Sequence, residues 1–103
     1  MELRPCTVTT WRVNPDSLEG FLMAVDELVD AISQLPSKPG GLILLRAVDD
    51  HLSFQTVGWW NNTDDLISMR SADHIREKLE ALVGLCAEVR PSAYEVVRIV
   101  PGP

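Results

Sequence analysis

Two apolar runs, "GLILLRAV" at 41–48 and "LSFQTVGWW" at 52–60, are separated only by Asp49, Asp50 and His51. Both are rich in β-branched and aromatic residues, and so short a polar link joins two strands as an antiparallel hairpin. Three residues cannot supply the crossover that parallel pairing needs. A helix-periodic segment lies on each side of this hairpin, and beyond each one lies a further strand-like stretch.

The first outer stretch is "CTVTTWRV" at 6–13, a strand by its β-branched and aromatic content. Asn14 is placed to cap a helix with Pro15 at its first position, and Asp16 with Glu19 offers a capping box instead. Leu18, Phe21, Leu22, Val25, Leu28, Val29, Ile32 and Leu35 then recur at helical spacing as a broad apolar stripe. "PSKPGG" at 36–41 stops that helix. After the hairpin, Thr63 is the expected cap of a second helical stretch, with Asp64 and Asp65 where the helix dipole favours negative charge. "MRSADHI" is expected to interrupt it, with Ser71 capping afresh. Ile75, Leu79, Leu82 and Val83 form the next apolar face, and Gly84 is its expected terminator. "SAYEVVRIV" at 92–100 is the predicted last strand.

The order β-α-β-β-α-β predicts one domain over residues 1–103 of the α+β class: a ferredoxin-like, four-stranded antiparallel sheet with two helices on one face. Ile43 and Leu44, Thr56 and Val57, and Val96 and Val97 make both parities of the strands largely apolar, as in a sheet covered twice. With only two helices available, the second face is expected to meet another copy of the chain. Trp59 and Trp60 are adjacent, so their rings point to opposite sides of the strand. Trp59, with Val57, is assigned to the homodimer side, and Trp60 to the protein's own interior.

Nine basic against fifteen acidic residues give a net charge of −6, which repels phosphate backbones and argues against a nucleic-acid partner. No run reaches the length of a membrane span, and "MELRPCTVTT" lacks the character of a secretory signal, so the expected location is cytoplasmic. Cys6 and Cys86 are read as buried free thiols. No metal-ligand spacing or phosphate-binding glycine pattern occurs, so neither a metal nor a cofactor is expected.

The segment "WNNTDDLISMRSADHI" at 60–75 resembles the signature of the antibiotic-biosynthesis monooxygenase family, whose members are dimeric α+β barrels. Trp60 matches the tryptophan that closes the third strand, Leu66 the following leucine, and His74 the second histidine. Gly58 stands where the family often has an acid, Met69 where its first histidine falls, and Thr56 where the polyketide-type oxygenases carry asparagine. The tryptophan and first-strand asparagine of the haem-degrading branch are absent. The resemblance implies a cofactor-independent monooxygenase acting on a small aromatic or quinone-like molecule. The alternative is a non-catalytic dimeric barrel that binds a hydrophobic metabolite.

In such a site, Trp60, Thr56 and Phe54 share one side of the strand. Trp60 would stack on a flat ligand, Thr56 would donate a hydrogen bond, and Gly58 would leave space beside the indole. Phe21 and Met69 complete the expected substrate wall. His74 is the candidate proton carrier, with a surface or capping histidine as its alternative. Trp60 has an alternative too, as a plug for the end of the core. Tyr94 and Arg98 are expected on one face of the last strand, and Trp11 and Arg12 at a pocket mouth or dimer rim.

Overall fold

The computed structural model describes residues 4–36 and 39–102, so the chain start and part of the expected turn at 36–41 lie outside the described residues. The strands are β1 (Pro5–Val13), β2 (Gly41–Arg46), β3 (Ser53–Trp59) and β4 (Cys86–Glu95). The helices are α1 (Leu18–Ser33), entered through a 3₁₀ turn at Pro15–Ser17, then α2 (Thr63–Ser71) and α3 (Asp73–Val83). The sheet order is β2-β3-β1-β4 with every pair antiparallel, the ferredoxin-like arrangement.

Register decides which residues meet the helices. β1 pairs with β3 so that Thr7 faces Gly58, Thr9 faces Thr56 and Trp11 faces Phe54. Those residues lie on the helix side, where Trp11, Val13, Phe54 and Trp60 are buried with Phe21, Val25, Leu28 and Ile32 of α1. Leu66 and Met69 of α2 and Ile75 and Leu82 of α3 close the same core. The Trp11 and Phe21 rings meet edge-on at 5.9 Å, and Phe21 tilts against Phe54 at 5.1 Å. Burying one such aromatic side chain contributes roughly 1.5–3 kcal/mol.

As expected, the second helical stretch is interrupted: α2 and α3 are separate helices, because Ala72 adopts φ −72°, ψ 123° between them. Three expectations are corrected. Ser71 does not cap α3; its hydroxyl donates back to the Ile67 carbonyl at 2.8 Å. At the start of α2 the cap is Asn62, whose Oδ1 accepts from the Asp65 backbone N–H at 2.8 Å, and Thr63 is the first helical residue. β4 begins at Cys86 and ends at Glu95, earlier than the predicted 92–100. Pro91, which reads as a strand breaker, is tolerated because β4 is an edge strand. Beyond it Val97, Ile99 and Val100 are exposed and belong to no strand.

At the hairpin, Asp50 accepts from the Leu52 N–H at 3.1 Å and from the Arg12 guanidinium at 2.7 Å. The Arg12 hydrogen bond is the main reason its carboxyl is held below the usual range. Cys6 and Cys86 are free thiols and only half-buried, and burial pushes the Cys86 thiol up. No helix among the described residues is long and apolar enough to cross a membrane.

Trp59 points to the helix-free face, opposite to Trp60. Its ring lies across the glycine pair at the start of β2. Its backbone carbonyl accepts from the Gly40 N–H at 2.7 Å, and a Cβ on Gly41 would fall 2.6 Å from its Cε2 and Cη2 atoms. An aromatic ring laid over a cross-strand glycine protects an otherwise weak strand position. Trp59 thus covers part of its own chain. The exposed apolar residues on that face are Ile43, Leu45 and Tyr94.

Gly41→Ala should therefore destabilise the fold by roughly 1–3 kcal/mol through overpacking against Trp59. Gly84→Ala, whose Cβ would meet nothing closer than 3.5 Å, should be nearly neutral. Urea denaturation of the two variants gives the comparison.

Candidate functional site

Between the sheet and the three helices lies a cavity of about 340 Å³, at the small end of the range of ligand pockets. β1 supplies Thr7, Thr9 and Trp11; β3 supplies Thr56 and Gly58; Trp60 follows directly, its backbone N–H donating to the Pro5 carbonyl at 3.0 Å. Val25, Leu28, Val29 and Ile32 of α1 form the opposite wall, with Met69 and Arg70 of α2 and Leu79 and Val83 of α3. Leu42, Ile43 and Leu44 of β2 and Val89 and Pro91 of β4 complete it. Leu42, Leu44, Val29 and Val83 are each between 37% and 49% exposed, so the cavity opens to solvent over an apolar rim.

The walls are nearly all hydrocarbon, and the polar groups are few. Trp11 Nε1 donates to the Thr56 hydroxyl oxygen at 3.0 Å. That bond uses an oxygen lone pair and leaves the Thr56 hydroxyl hydrogen free to donate elsewhere. The Thr7 hydroxyl makes only a long contact, 3.5 Å, to the Gly58 carbonyl. Trp60 is 1% exposed, and its Nε1 is buried with no hydrogen-bond partner among the described residues. Arg70 is the one charged residue on the lining.

Of the sequence-predicted wall, Trp60, Thr56 and Met69 come together on this cavity. Phe54 and Phe21 do not line it. They pack into the core behind Trp11, which the Phe21 edge supports. The space expected above Gly58 is taken by Leu42, since a Cβ there would lie 2.7 Å from Leu42 Cδ2. His74 is exposed on the first turn of α3, adjacent to buried Ile75, and is not part of the lining. Trp11, expected at a pocket mouth or dimer rim, lines the cavity, whereas Thr9, Leu44 and Arg70 were not singled out as wall residues from the sequence. Alternation along "TVTTW" groups Thr7, Thr9 and Trp11 on one face, but only the pairing with β3 shows which face that is. Among the described residues, no group of three or more His, Cys, Asp or Glu is placed to hold a metal ion.

No sequence-family profile and no curated protein matches the chain. Solved structures do match. SnoaB, a cofactor-independent oxygenase from Streptomyces nogalater, superposes with a TM-score of 0.86 at 15% identity, over 97% of this chain and 99% of that one. A structure of an antibiotic biosynthesis monooxygenase matches with a TM-score of 0.76 at 15% identity, over 94% and 99% of the two chains. A conserved protein from Methanosarcina mazei Go1 gives 0.81 at 15% identity, over 89% and 91%. The chain has the α+β ferredoxin-like fold of the antibiotic biosynthesis monooxygenase structures.

Thr56→Val would strip a buried indole N–H of its only acceptor, which costs about 1–3 kcal/mol. Thr56→Ser should retain most of that stability. Thermal or urea unfolding of both variants, with the Trp11 indole resonance as a local probe, is the check.

Proposed function

We propose that this protein binds a small aromatic or quinone-like molecule in the cavity and oxygenates it without metal or flavin. The observation that carries the reading is the cavity itself: an apolar slot of about 340 Å³ walled by two indoles and a few threonines, with the Thr56 hydroxyl oriented by Trp11 and free to donate. The shared fold with a protein described as a cofactor-independent oxygenase supports it. In such chemistry a ring-flanked CH₂ becomes a carbonyl. Two C–H bonds break, one atom of O₂ enters the product, the other leaves as water, and the substrate supplies all four electrons.

Each part of the wall has a task in this scheme. Trp60 and Trp11 present aromatic surface to a flat ring. The hydrocarbon walls exclude water, which strengthens any polar contact to the ring's developing oxyanion. Thr56, held by Trp11, donates to that oxygen. His74 has no role here, because it stands outside the cavity.

One observation favours a second reading. Among the described residues, no His, Asp, Glu, Lys, Cys or Tyr lines the cavity, so that wall offers no side chain that takes a proton near neutral pH. A barrel that only binds a hydrophobic metabolite would need none.

We also propose that two copies pair through the bare sheet face. Val8, Val57 and Ile43 lie in one cross-strand row there, with Trp59, Cys6 and Tyr94 in the next. The other end of the face is polar: Thr10, Arg12, Ser53, Glu88 and Arg90 surround a shallow groove. The apolar end is therefore the contact. Two chains of charge −6 repel each other, so burial of that end has to outweigh the repulsion.

Oxygen uptake with dihydroquinones and anthrones, metals chelated, tests the reaction. Trp60→Phe should lower it by about tenfold or more through lost positioning, while His74→Ala should leave it within about twofold. Binding without any uptake would select the second reading. For the pairing, Val57→Lys should convert a dimer to a soluble monomer in sedimentation velocity, and a wild-type monomer at micromolar concentration would defeat it.

A further inference from the structure

We propose that the ligand of this cavity carries an anionic group, a carboxylate or an ionised phenol, and that Arg70 at the rim selects for it. This rests on the cavity being a ligand site, as proposed above, and specifies the chemistry of what enters.

Among the described residues, Arg70 is the only charged side chain on a lining that is otherwise apolar, indole and threonine. It sits in the last turn of α2, directly after Met69, which is buried in the same wall. A basic residue in that turn complements the helix dipole wherever it points. The dipole does not account for this one lying on the cavity. Nor is the charge spent within the fold. The ion pairs among the described residues are Arg12 with Asp50, Lys78 with Glu27 and Arg90 with Glu88, and none involves Arg70. A chain with fifteen acidic residues against nine basic ones leaves this guanidinium without a carboxylate beside an apolar slot.

The arrangement matches an amphipathic acid. Its ring enters against Trp60 and Trp11, and its anionic end stops at the rim, where the long apolar stem of arginine lies along the wall and the guanidinium stays near water. Guanidinium binds a carboxylate through paired, charge-assisted hydrogen bonds that a neutral ring cannot return. The rest of the surface is net acidic and does not draw anions in, so selection acts at contact range. Arg70 is on this account a specificity residue. It fixes which end of the ring faces out, and so which carbon lies deepest between the indoles.

The test uses a matched pair, 2-naphthoate and its neutral isostere 2-naphthamide, titrated by calorimetry at pH 7.5 into wild-type protein, Arg70→Gln and Arg70→Lys. The indole N–H resonances report occupancy. Wild type should bind the acid about tenfold tighter than the amide, the scale of one charge-assisted contact at a partly wet rim. Arg70→Gln should reduce that preference to within about twofold, chiefly by weakening the acid and only slightly the amide, and Arg70→Lys should keep part of it. Equal affinity for acid and amide in the wild type, or an undiminished preference in Arg70→Gln, overturns the role of Arg70 and leaves the cavity a site for neutral rings. Failure of both compounds to bind overturns the cavity reading and this proposal with it. Because Arg70 is exposed and makes no ion pair within the fold, loss of folding does not confound the variants.

Discussion

The pairing of β1 with β3 at Trp11–Phe54, Thr9–Thr56 and Thr7–Gly58 is the constraint on which everything else in this molecule rests. It sends one set of alternating side chains to the helices and the other to the bare face. A slip of one residue would exchange the two sets, burying Arg12 and exposing Trp11. Two devices hold the register. Across the strands, Trp11 Nε1 reaches the Thr56 hydroxyl, which lies two residues along β3 from Phe54, the direct partner of Trp11. On the opposite face, the Trp59 ring seats on Gly40 and Gly41 and aligns β2 with β3. The two adjacent tryptophans of "GWW" therefore serve different layers: Trp59 locks the hairpin edge, and Trp60 enters the wall between sheet and helices.

The cavity is a consequence of how far the helices extend over that sheet. α1, α2 and α3 cover β1 and the ends of β3 where Trp11, Val13, Phe54 and Trp60 are buried. They do not cover β2, whose helix-facing Leu42 and Leu44 stay more than a third exposed. Apolar surface left wet along a rim costs free energy in proportion to its area, about 25 cal/mol for each Å². Under the proposed function, a flat apolar ligand sliding under β2 recovers that cost, so the geometry that opens the cavity would also favour such a ligand. Met69 suits the position, since an unbranched thioether adjusts to a ring's edge.

Much of this fold was legible in the sequence because its signals are periodic. The short polar link between two β-rich runs fixed the hairpin, and the stripe from Phe21 to Ile32 fixed α1. The hairpin strands nonetheless stop at Arg46 and resume only at Ser53, short of the expected 41–48 and 52–60. Signals that depend on partners were not legible. β4 was expected at 92–100 because "VVRIV" is the most β-branched run near the chain end, whereas pairing with β1 places it at Cys86–Glu95, with Pro91 tolerated on an edge strand. Asn62 and Thr63 are both good caps, and backbone geometry, not residue type, chose Asn62. The site shows the same division. Trp60 and Thr56 followed from strand parity. His74 followed from motif spacing, yet α3 turns on the phase of Ile75 and Leu82, and a residue one step before Ile75 lies about 100° round the helix from it. Arg70 and Thr9 carry no local signal, because their place on the wall depends on helix docking and strand register.

Trp60 joins the structural and the chemical arguments. Its indole N–H is dry and unpartnered, which costs about 1–3 kcal/mol against an N–H that finds an acceptor. A phenylalanine filling the same end of the core would avoid that cost, with a smaller ring. What the indole supplies in exchange is a larger ring, in one core with Leu66 and Met69 and on the edge of the cavity. Under the proposed function that indole is what desolvates and aligns the substrate ring. The hydroxyl that Trp11 orients then acts on an oxygen already stripped of water. The wall holds no side chain to remove a proton, so such a site suits a substrate acidic enough to reach the cavity as its anion. That requirement and the guanidinium at the rim point to the same kind of molecule.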